Sequence, residues 1–459
     1  MTNHQNIRRN PVRGATRTTV FAMLVIAASC DTSVTNPGPV KDEFLFNRNA
    51  AAAMVSGAGR ALSSGMNWIS YTGASITREI HPAGSTGSFG ITTLWQNGTL
   101  SQDDGDLDTH WEQAQRARWV AEEAVRRIEA AKPPTPGELQ TVVQYNNLLQ
   151  LAYLYAGYAN RLLGENMCEA VIDSSAALPN AVYFTRAESL FTKAILVTGG
   201  TPATILAQAT AAYAGRAAVR VFLGNWAGAI SDANPVAIGF VYNMPYYNIG
   251  DDAQRNRIFY SSGNTRESGS AYRAHTQWNT WYLQYKYGSA TTFTSTTPAV
   301  VNDPRIQVVT STQAFGDAAI DCCGKVPFYP EAKYTSSASA IRLSSGREMV
   351  LIKAEERLIA SDMAGGMTFI NQARTNAGAP TITAVDLTDA WRLLKRERGI
   401  ELWLEARRMG DLRRWKAAGA AAPGALDPLE VVGAASHLTS QDLCFPISRS
   451  ERQTNPHFH

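Results

Sequence analysis

The sequence predicts a mostly α protein: a tetratricopeptide-like helical-repeat scaffold that carries a loop-rich, mixed portion. Three observations predict it. Apolar residues recur at helical spacing through 109–234 and again through 346–417, with Ala where paired helices would cross. Between those blocks, over 235–345, Ser, Thr, Gly, Asn and Tyr dominate and the helical period is lost. Near the C-terminus Glu397, Glu401 and Glu405 recur every four residues among Arg, Leu and Trp, as one helix face would carry them.

The chain opens on Arg8, Arg9, Arg13 and Arg17, followed by an apolar run from Thr18 to Ser29 that is short for a bilayer span. Ala27, Ala28 and Ser29 stand directly before Cys30. Small residues before a Cys make residues 1–29 a lipoprotein signal peptide and Cys30 the acylated start of the mature chain; secretion without lipid is the alternative. Acyl chains would tether the protein to a membrane rather than thread it through. Asp31 to Val40 has linker composition, so 30–46 reads as a flexible tether. Four of the 42 basic residues lie in the first 29 positions with no acid beside them, which leaves the rest near neutral. A nucleic-acid partner is therefore not expected.

From residue 47 to 459 one domain is expected, because helices of the same type resume after the loop-rich stretch. A first helix is read from Asn47 to Leu62. Its Gly57-Ala58-Gly59 is no dinucleotide loop, since no strand precedes it and no third Gly follows at the required offset. Residues 63–108 read as loops with scattered aromatics. Asp103, Asp104, Asp106 and Asp108 precede a helix at Thr109, where acids favour the N-terminus. A calcium site is the alternative, although the run does not match an EF-hand loop, with Gly105 at the wrong offset and no Glu at the twelfth position. Trp111, Ala114, Arg118, Ala121 and Val125 mark the helix over 109–131, which Lys132-Pro133-Pro134 stops. Further helices are read over 138–163, 184–197, 205–223 and 226–233. The stretch 235–345 reads as loops, hairpins and short helices laid over this scaffold. Two short helices follow, with apolar faces at Val350, Leu351, Leu358 and Ile359 and at Phe369, Ile370 and Ala373. A single longer helix then runs from an N-cap at Thr388 toward Trp415.

Charges set among Leu, Trp and Ile are expected to be buried as ion pairs, because a guanidinium can satisfy a buried carboxylate bidentately. Glu397, Arg398, Glu401, Glu405 and Arg408 are read as such a structural network. The rival is a carboxylate pair for acid/base chemistry, which Arg neighbours would oppose by keeping the acids ionised. Five Cys are present. With Cys30 acylated, Cys322 and Cys323 are expected to bond Cys168 and Cys444 in either order, since a bond between adjacent Cys is strained. No zinc spacing accompanies them. The sequence has no H-E-x-x-H, G-x-S-x-G or G-x-x-x-x-G-K. No catalytic residue, cofactor or metal is therefore assigned.

The C-terminal segment resembles the SusD/RagB family of outer-membrane nutrient-binding lipoproteins. The residues that carry the resemblance are the run Glu348 to Glu356, then Ile370-Asn371-Gln372-Ala373-Arg374 with Ala377-Gly378. Glu397-Arg398, Glu401-Leu402, Glu405, Arg407 and Asp411 to Trp415 follow. Phe445-Pro446-Ile447, Glu451 and Asn455-Pro456 close the pattern, and Asn302 to Arg305 echoes another family element. The resemblance implies a SusD-like fold and no enzymatic activity. It implies a lipid-anchored protein at the outer-membrane surface that hands a nutrient, most often an oligosaccharide, to a TonB-dependent SusC-like transporter. A glycan-acting hydrolase and a helical-repeat scaffold that binds only protein are the alternatives. Ligand contacts are sought among aromatics outside the helical period: Trp68, Trp95, Trp278 and Trp281, with Asn97 and Asn279 beside them. Tyr246, Tyr282 and Tyr285 stand next.

Overall fold

The computed structural model describes residues 45–82, 92–251, 254–262, 278–279, 303–305, 331, 333–426, 430–432 and 438–458. The signal segment, Cys30, Trp281, Tyr282, Tyr285, Cys322 and Cys323 lie outside them. The described helices are α1 (Ala51–Ile76), α2 (Thr93–Gln96), α3 (Asp108–Ala131), α4 (Val142–Asn166), α5 (Ala181–Leu196), α6 (Pro202–Phe222), α7 (Trp226–Ala233) and α8 (Arg257–Ser262). After the loop-rich stretch come α9 (Gly346–Ile359), α10 (Met363–Asn376), α11 (Leu387–Glu401), α12 (Arg408–Ala418) and α13 (Arg449–Thr454). The protein is mostly helical, as its sequence predicts.

Helices from α3 to α7 pack each on the next, α7 packs on α9, and α9 packs on α10 and α11. α5 buries one stripe, Tyr183, Phe184, Ala187, Phe191 and Ala194, whereas α4 is buried all round from Ala156 to Asn166; contact of each helix with the next is the logic of a helical-repeat stack. Small residues set the spacing. The Phe191 ring of α5 lies against Gly157 of α4 and Gly215 of α6, where an added Cβ would come within 2.7 and 2.5 Å of the ring. The loop-rich stretch is inserted between α7 and α9. Its first strand, β4 (Val241–Met244), pairs antiparallel with β6 (Ile341–Ser345), so the insertion leaves and returns at one place. The main core gathers α1, α3, α4, α5 and α6 around Trp111, Tyr158 and Phe191. A second lies among α9 to α12 around Trp391 and Trp415.

Three expectations need correction. First, α1 runs on to Ile76, so residues 63–76 are helix and not loop. Ser, Gly and Thr look like loop composition, but here they let α3 approach: a Cβ on Gly65 would sit 3.2 Å from the Gln113 carbonyl oxygen. Their hydroxyls find partners inside, as Ser64 Oγ does on Gln113 Oε1 at 2.9 Å. Second, the expected long helix is two. Asp386, not Thr388, caps α11 by accepting from the Asp389 amide at 2.7 Å. The chain then breaks at Leu402–Arg407, with Leu404 and Ala406 both at φ 61°. Distant partners impose the break. Glu79 accepts from the Leu404 amide at 2.8 Å, the Trp403 indole donates to the Glu79 carbonyl at 3.0 Å, and Tyr334 donates to the Leu404 carbonyl at 2.9 Å.

Third, Cys168 is bonded to Cys444 rather than to Cys322 or Cys323. The backbones align the pair: the Cys168 amide donates to the Phe445 carbonyl at 2.9 Å, and the Phe445 amide to Asn166 at 2.8 Å. Two further short ladders occur. β2 (Glu169–Ala170) pairs with β3 (Leu178–Pro179), and β1 (His81–Pro82) with β5 (Trp278–Asn279). No helix among the described residues is long and apolar enough to cross a membrane.

Candidate functional site

The carboxylates of α11 and the turn after it are buried and each meets cations. Glu397 accepts from Arg305 at 2.8 Å and from Arg374. Glu401 meets Arg342 and Arg347 at 2.7 Å each, and Arg305 at 3.5 Å. Glu405 meets Lys333 and Arg342 at 2.6 Å each. Arg398 pairs bidentately with Asp411 at 2.8 and 3.0 Å, and Arg408 with Glu430 at 2.6 and 2.7 Å. Burial alone would raise the Glu401 carboxyl, but Arg342, Arg347 and Arg305 hold it below its ordinary value. Burial likewise opposes Asp411, yet Arg398 and Arg414 pull it down to about 2. Acids held this way stay ionised and accept protons poorly, so the cluster is a fastener. It ties Arg305, Lys333 and Arg342 of the insertion to the C-terminal helices.

Glu79 behaves differently. Burial pushes its carboxyl up to about 7, and the Leu404 amide, Arg408 and Lys333 offset this only in part. The folded protein therefore holds a proton there that the unfolded chain releases above its ordinary value near 4.5. Stability from this site is full at low pH and is lost as pH rises from about 4.5 through 7. Glu79→Gln should reduce that decline in melting temperature and leave the variant more stable than the parent at pH 8. Glu331, raised by burial to about 7, keeps part of the slope. An unaltered slope in Glu79→Gln would contradict the assignment.

Of the expected ligand residues, Trp95 is 1 % exposed and its indole donates to Asp104 at 2.9 Å. It is core, packed edge-on against His110 at 5.2 Å. Burial, then Arg257, lowers His110 to about 3, so its ring is neutral. The sequence placed Trp95 in a loop and missed that α2 turns it inward. Trp68 also packs edge-on against His110, at 5.3 Å; it is half-buried, with the Arg257 guanidinium 3.7 Å over its ring. The Asn97 carbonyl accepts from the Thr439 and Ser440 amides at 3.0 and 3.1 Å. Trp278 and Asn279 form β5, opposite Pro82 and His81, so the two loop-rich stretches meet through this ladder. The acidic run is committed internally: Asp104 holds Trp95, Asp103 meets Arg452 at 2.7 Å, and Asp108 accepts from the Ser450 amide at 3.0 Å.

Residues that the sequence does not single out meet elsewhere. A cleft of about 430 Å³ lies between α1, α4 and the segment after β4, lined by Ser56, Arg60, Ser63, Tyr155, Tyr247 and Gln254. Gly57 leaves its floor open, since a Cβ added there would meet no atom within 4 Å. Strand alternation continues past Met244. Tyr246 turns inward and donates to the Ser63 carbonyl at 2.8 Å, while Tyr247 turns outward at 51 % exposure. Tyr246 is thus no ligand group. Burial, aided by Tyr247, holds the Tyr155 phenol above its usual value, so it stays a donor at neutral pH. Arg60 pairs with Asp251 at 2.5 Å, and Gln254 donates to the same carboxylate at 3.0 Å. Two phenol faces, a guanidinium and an amide thus converge on one open cleft. Such a set can stack on C–H faces and hydrogen-bond hydroxyls.

Residues 250–457 match the model of the SusD family. No curated protein matches the chain. Several solved structures share the fold. A SusD superfamily protein from Bacteroides vulgatus ATCC 8482 is 16% identical, with 90% of this chain and 98% of that chain covered at a TM-score of 0.60. A SusD superfamily protein from Bacteroides thetaiotaomicron VPI-5482 is 13% identical, with 90% and 98% covered at 0.63. A SusD-like carbohydrate binding protein from Bacteroides vulgatus ATCC 8482 is 14% identical, with 80% and 83% covered at 0.56. At such identities the likeness speaks for the fold. The matched segment holds β6, α9 to α13 and the Glu397–Glu405 fastener. Over residues 250–457, a little under half of its length, the chain is similar to the SusD family.

Proposed function

We propose that this protein is a lipid-anchored, surface-exposed outer-membrane protein that binds an oligosaccharide and delivers it to a TonB-dependent, SusC-like transporter without altering it. The observation that carries the binding half is the open cleft of Tyr155, Tyr247, Arg60 and Gln254, set on rigid α1 and α4. Trp68 of α1, Trp278 and Asn279 of β5, and Trp281 are proposed to extend that surface; the β1–β5 ladder brings the backbone of Trp278 and Asn279 beside Pro82 and His81. A SusD-like protein that shares the fold is described as carbohydrate binding, which favours sugar as the ligand. Arg342, Arg347 and Arg305 hold Glu401 ionised, which disfavours that residue as the protonated general acid that a glycosidase needs.

The test is calorimetric titration with an oligosaccharide panel. Tyr247→Ala and Trp68→Ala should each weaken binding by about tenfold, the ratio that ~1.4 kcal/mol makes, with melting unchanged for Tyr247→Ala. Parent-like affinity in both variants would move the site elsewhere. The anchoring half rests on Ala28-Ser29-Cys30 after the Arg-rich start. Cys30→Ala should shift the protein from the outer-membrane fraction to the soluble fraction. Retention with incorporated acyl label would refute lipidation at that residue.

A further inference from the structure

Trp119 is 53 % exposed on the outer face of α3, whereas Trp111 on the same helix is buried. Exposing so large an apolar ring is unfavourable unless something covers it. It does not stand on a flat surface. A shallow cleft of about 490 Å³ opens there, lined among others by Arg116, Trp119, Asp173 and Ser174. That volume is in the ~300–1,000 Å³ range of small-molecule sites.

The polar wall of this cleft is built rather than incidental. Asp173 and Ser174 form the tip of a turn closed by the Ser175 amide on the Ile172 carbonyl at 2.9 Å. Both tip residues have positive φ, 48° and 65°, a conformation for which Gly and Asn are the usual choices. Such strain persists only where surrounding contacts enforce it, and it gathers at functional sites. The enforcing contact is Arg118. Its side chain is buried and it donates to Asp173 at 3.0 Å, to Glu122 at 2.8 Å and to Gln115 at 3.1 Å. One Asp173 oxygen is thereby fixed, while the side chain stays 60% exposed at the rim.

We infer that this cleft is a second sugar-binding site, in which Trp119 stacks on the face of a neutral pyranose ring and Asp173 and Arg116 take its hydroxyls. Both charge signs border the ring, so a neutral polyhydroxylated ligand fits better than an anion or a cation. The site shares no residue with the cleft of Tyr155 and Tyr247. A second grip on one long glycan would raise its effective concentration at the first site. The inference rests on the glycan reading proposed above.

The experiment follows indole N–H signals of the protein labelled with ¹⁵N at Trp, with the Trp119 signal assigned by Trp119→Phe. Maltohexaose, cellohexaose, laminarihexaose, mannohexaose and xylohexaose are titrated in turn. At least one should move the Trp119 signal saturably, and Tyr247→Ala should not abolish that movement. Asp173→Ala should weaken it by about tenfold, read on protein whose other indole signals keep their parent positions. A sugar that binds the parent, is lost in Tyr247→Ala and never moves the Trp119 signal would overturn this inference and leave the first site standing. If none of the five moves any indole signal or releases heat, the glycan reading falls and this inference with it.

Discussion

Glu401→Ala is expected to lower stability by about 3–5 kcal/mol, the usual cost of stripping one partner from a buried ion pair. The residue is fully buried and meets Arg342, Arg347 and Arg305. Removing it takes one carboxylate from three guanidinium groups at once; Arg305 keeps Glu397 and Arg342 keeps Glu405, but the buried cations are then in excess and their desolvation is less well offset. The damage should reach the insertion, because Arg305 and Arg342 both belong to it. Thermal and urea melts measure the loss. Limited proteolysis should cut first within 263–340 in the variant. Native melting together with lost ligand binding would mean that Glu401 acts on ligand instead.

The second large effect is expected from removing the disulfide. Cys168 and Cys444 are 276 residues apart, so the bond restrains a very long loop in the unfolded chain. Loop-entropy arguments and measured cases put such a loss at about 2–5 kcal/mol. The double variant Cys168→Ser, Cys444→Ser should therefore unfold at lower urea than the parent. Its C-terminal tail should loosen from α4, since Met167, Cys168 and Phe445 align there. Peptide mapping of the unreduced parent should recover Cys168 and Cys444 joined. Recovery of either one joined to Cys322 or Cys323 would restore the expectation that the sequence alone supports.

Those two cases show what a sequence can and cannot disclose. The helix over Trp226–Ala233 was legible to the residue, because Gly224 and Asn225 mark its start and Pro235 follows its end. The buried acids were legible because charges at helical spacing sat among Trp and Leu. Their partners were not, since Arg305, Lys333 and Arg342 come from a stretch without period. The break after Glu401 was illegible for the same reason. Leu, Trp, Glu and Ala are compatible with continued helix, and partners far away in sequence, Glu79, Tyr334 and Asn166 among them, turn the chain. Cysteine pairing hinged on a backbone alignment that no spacing encodes.

The aromatic surface divides in a similar way. Trp95 stood in loop-like sequence and proved to be core, while Trp119 stood in helical sequence and proved exposed. The period carried a usable signal for Trp119, which falls off the stripe of Trp111, Ala114, Arg118, Ala121 and Val125. Tyr247 carried one too, as the odd partner of an inward Tyr246. Arg60 and Tyr155 gave none, because their meeting depends on how α1 and α4 cross.

The central claim is that the protein grips a glycan without breaking it. The most direct measurement titrates the parent protein with each oligosaccharide of the panel and then chromatographs the recovered sugar. The account predicts saturable heat with at least one sugar, loss of that heat in Tyr247→Ala, and full recovery of the sugar at its original length. Shortened products that disappear with a single Asp or Glu substitution, or no binding of any oligosaccharide by the folded protein, would contradict it.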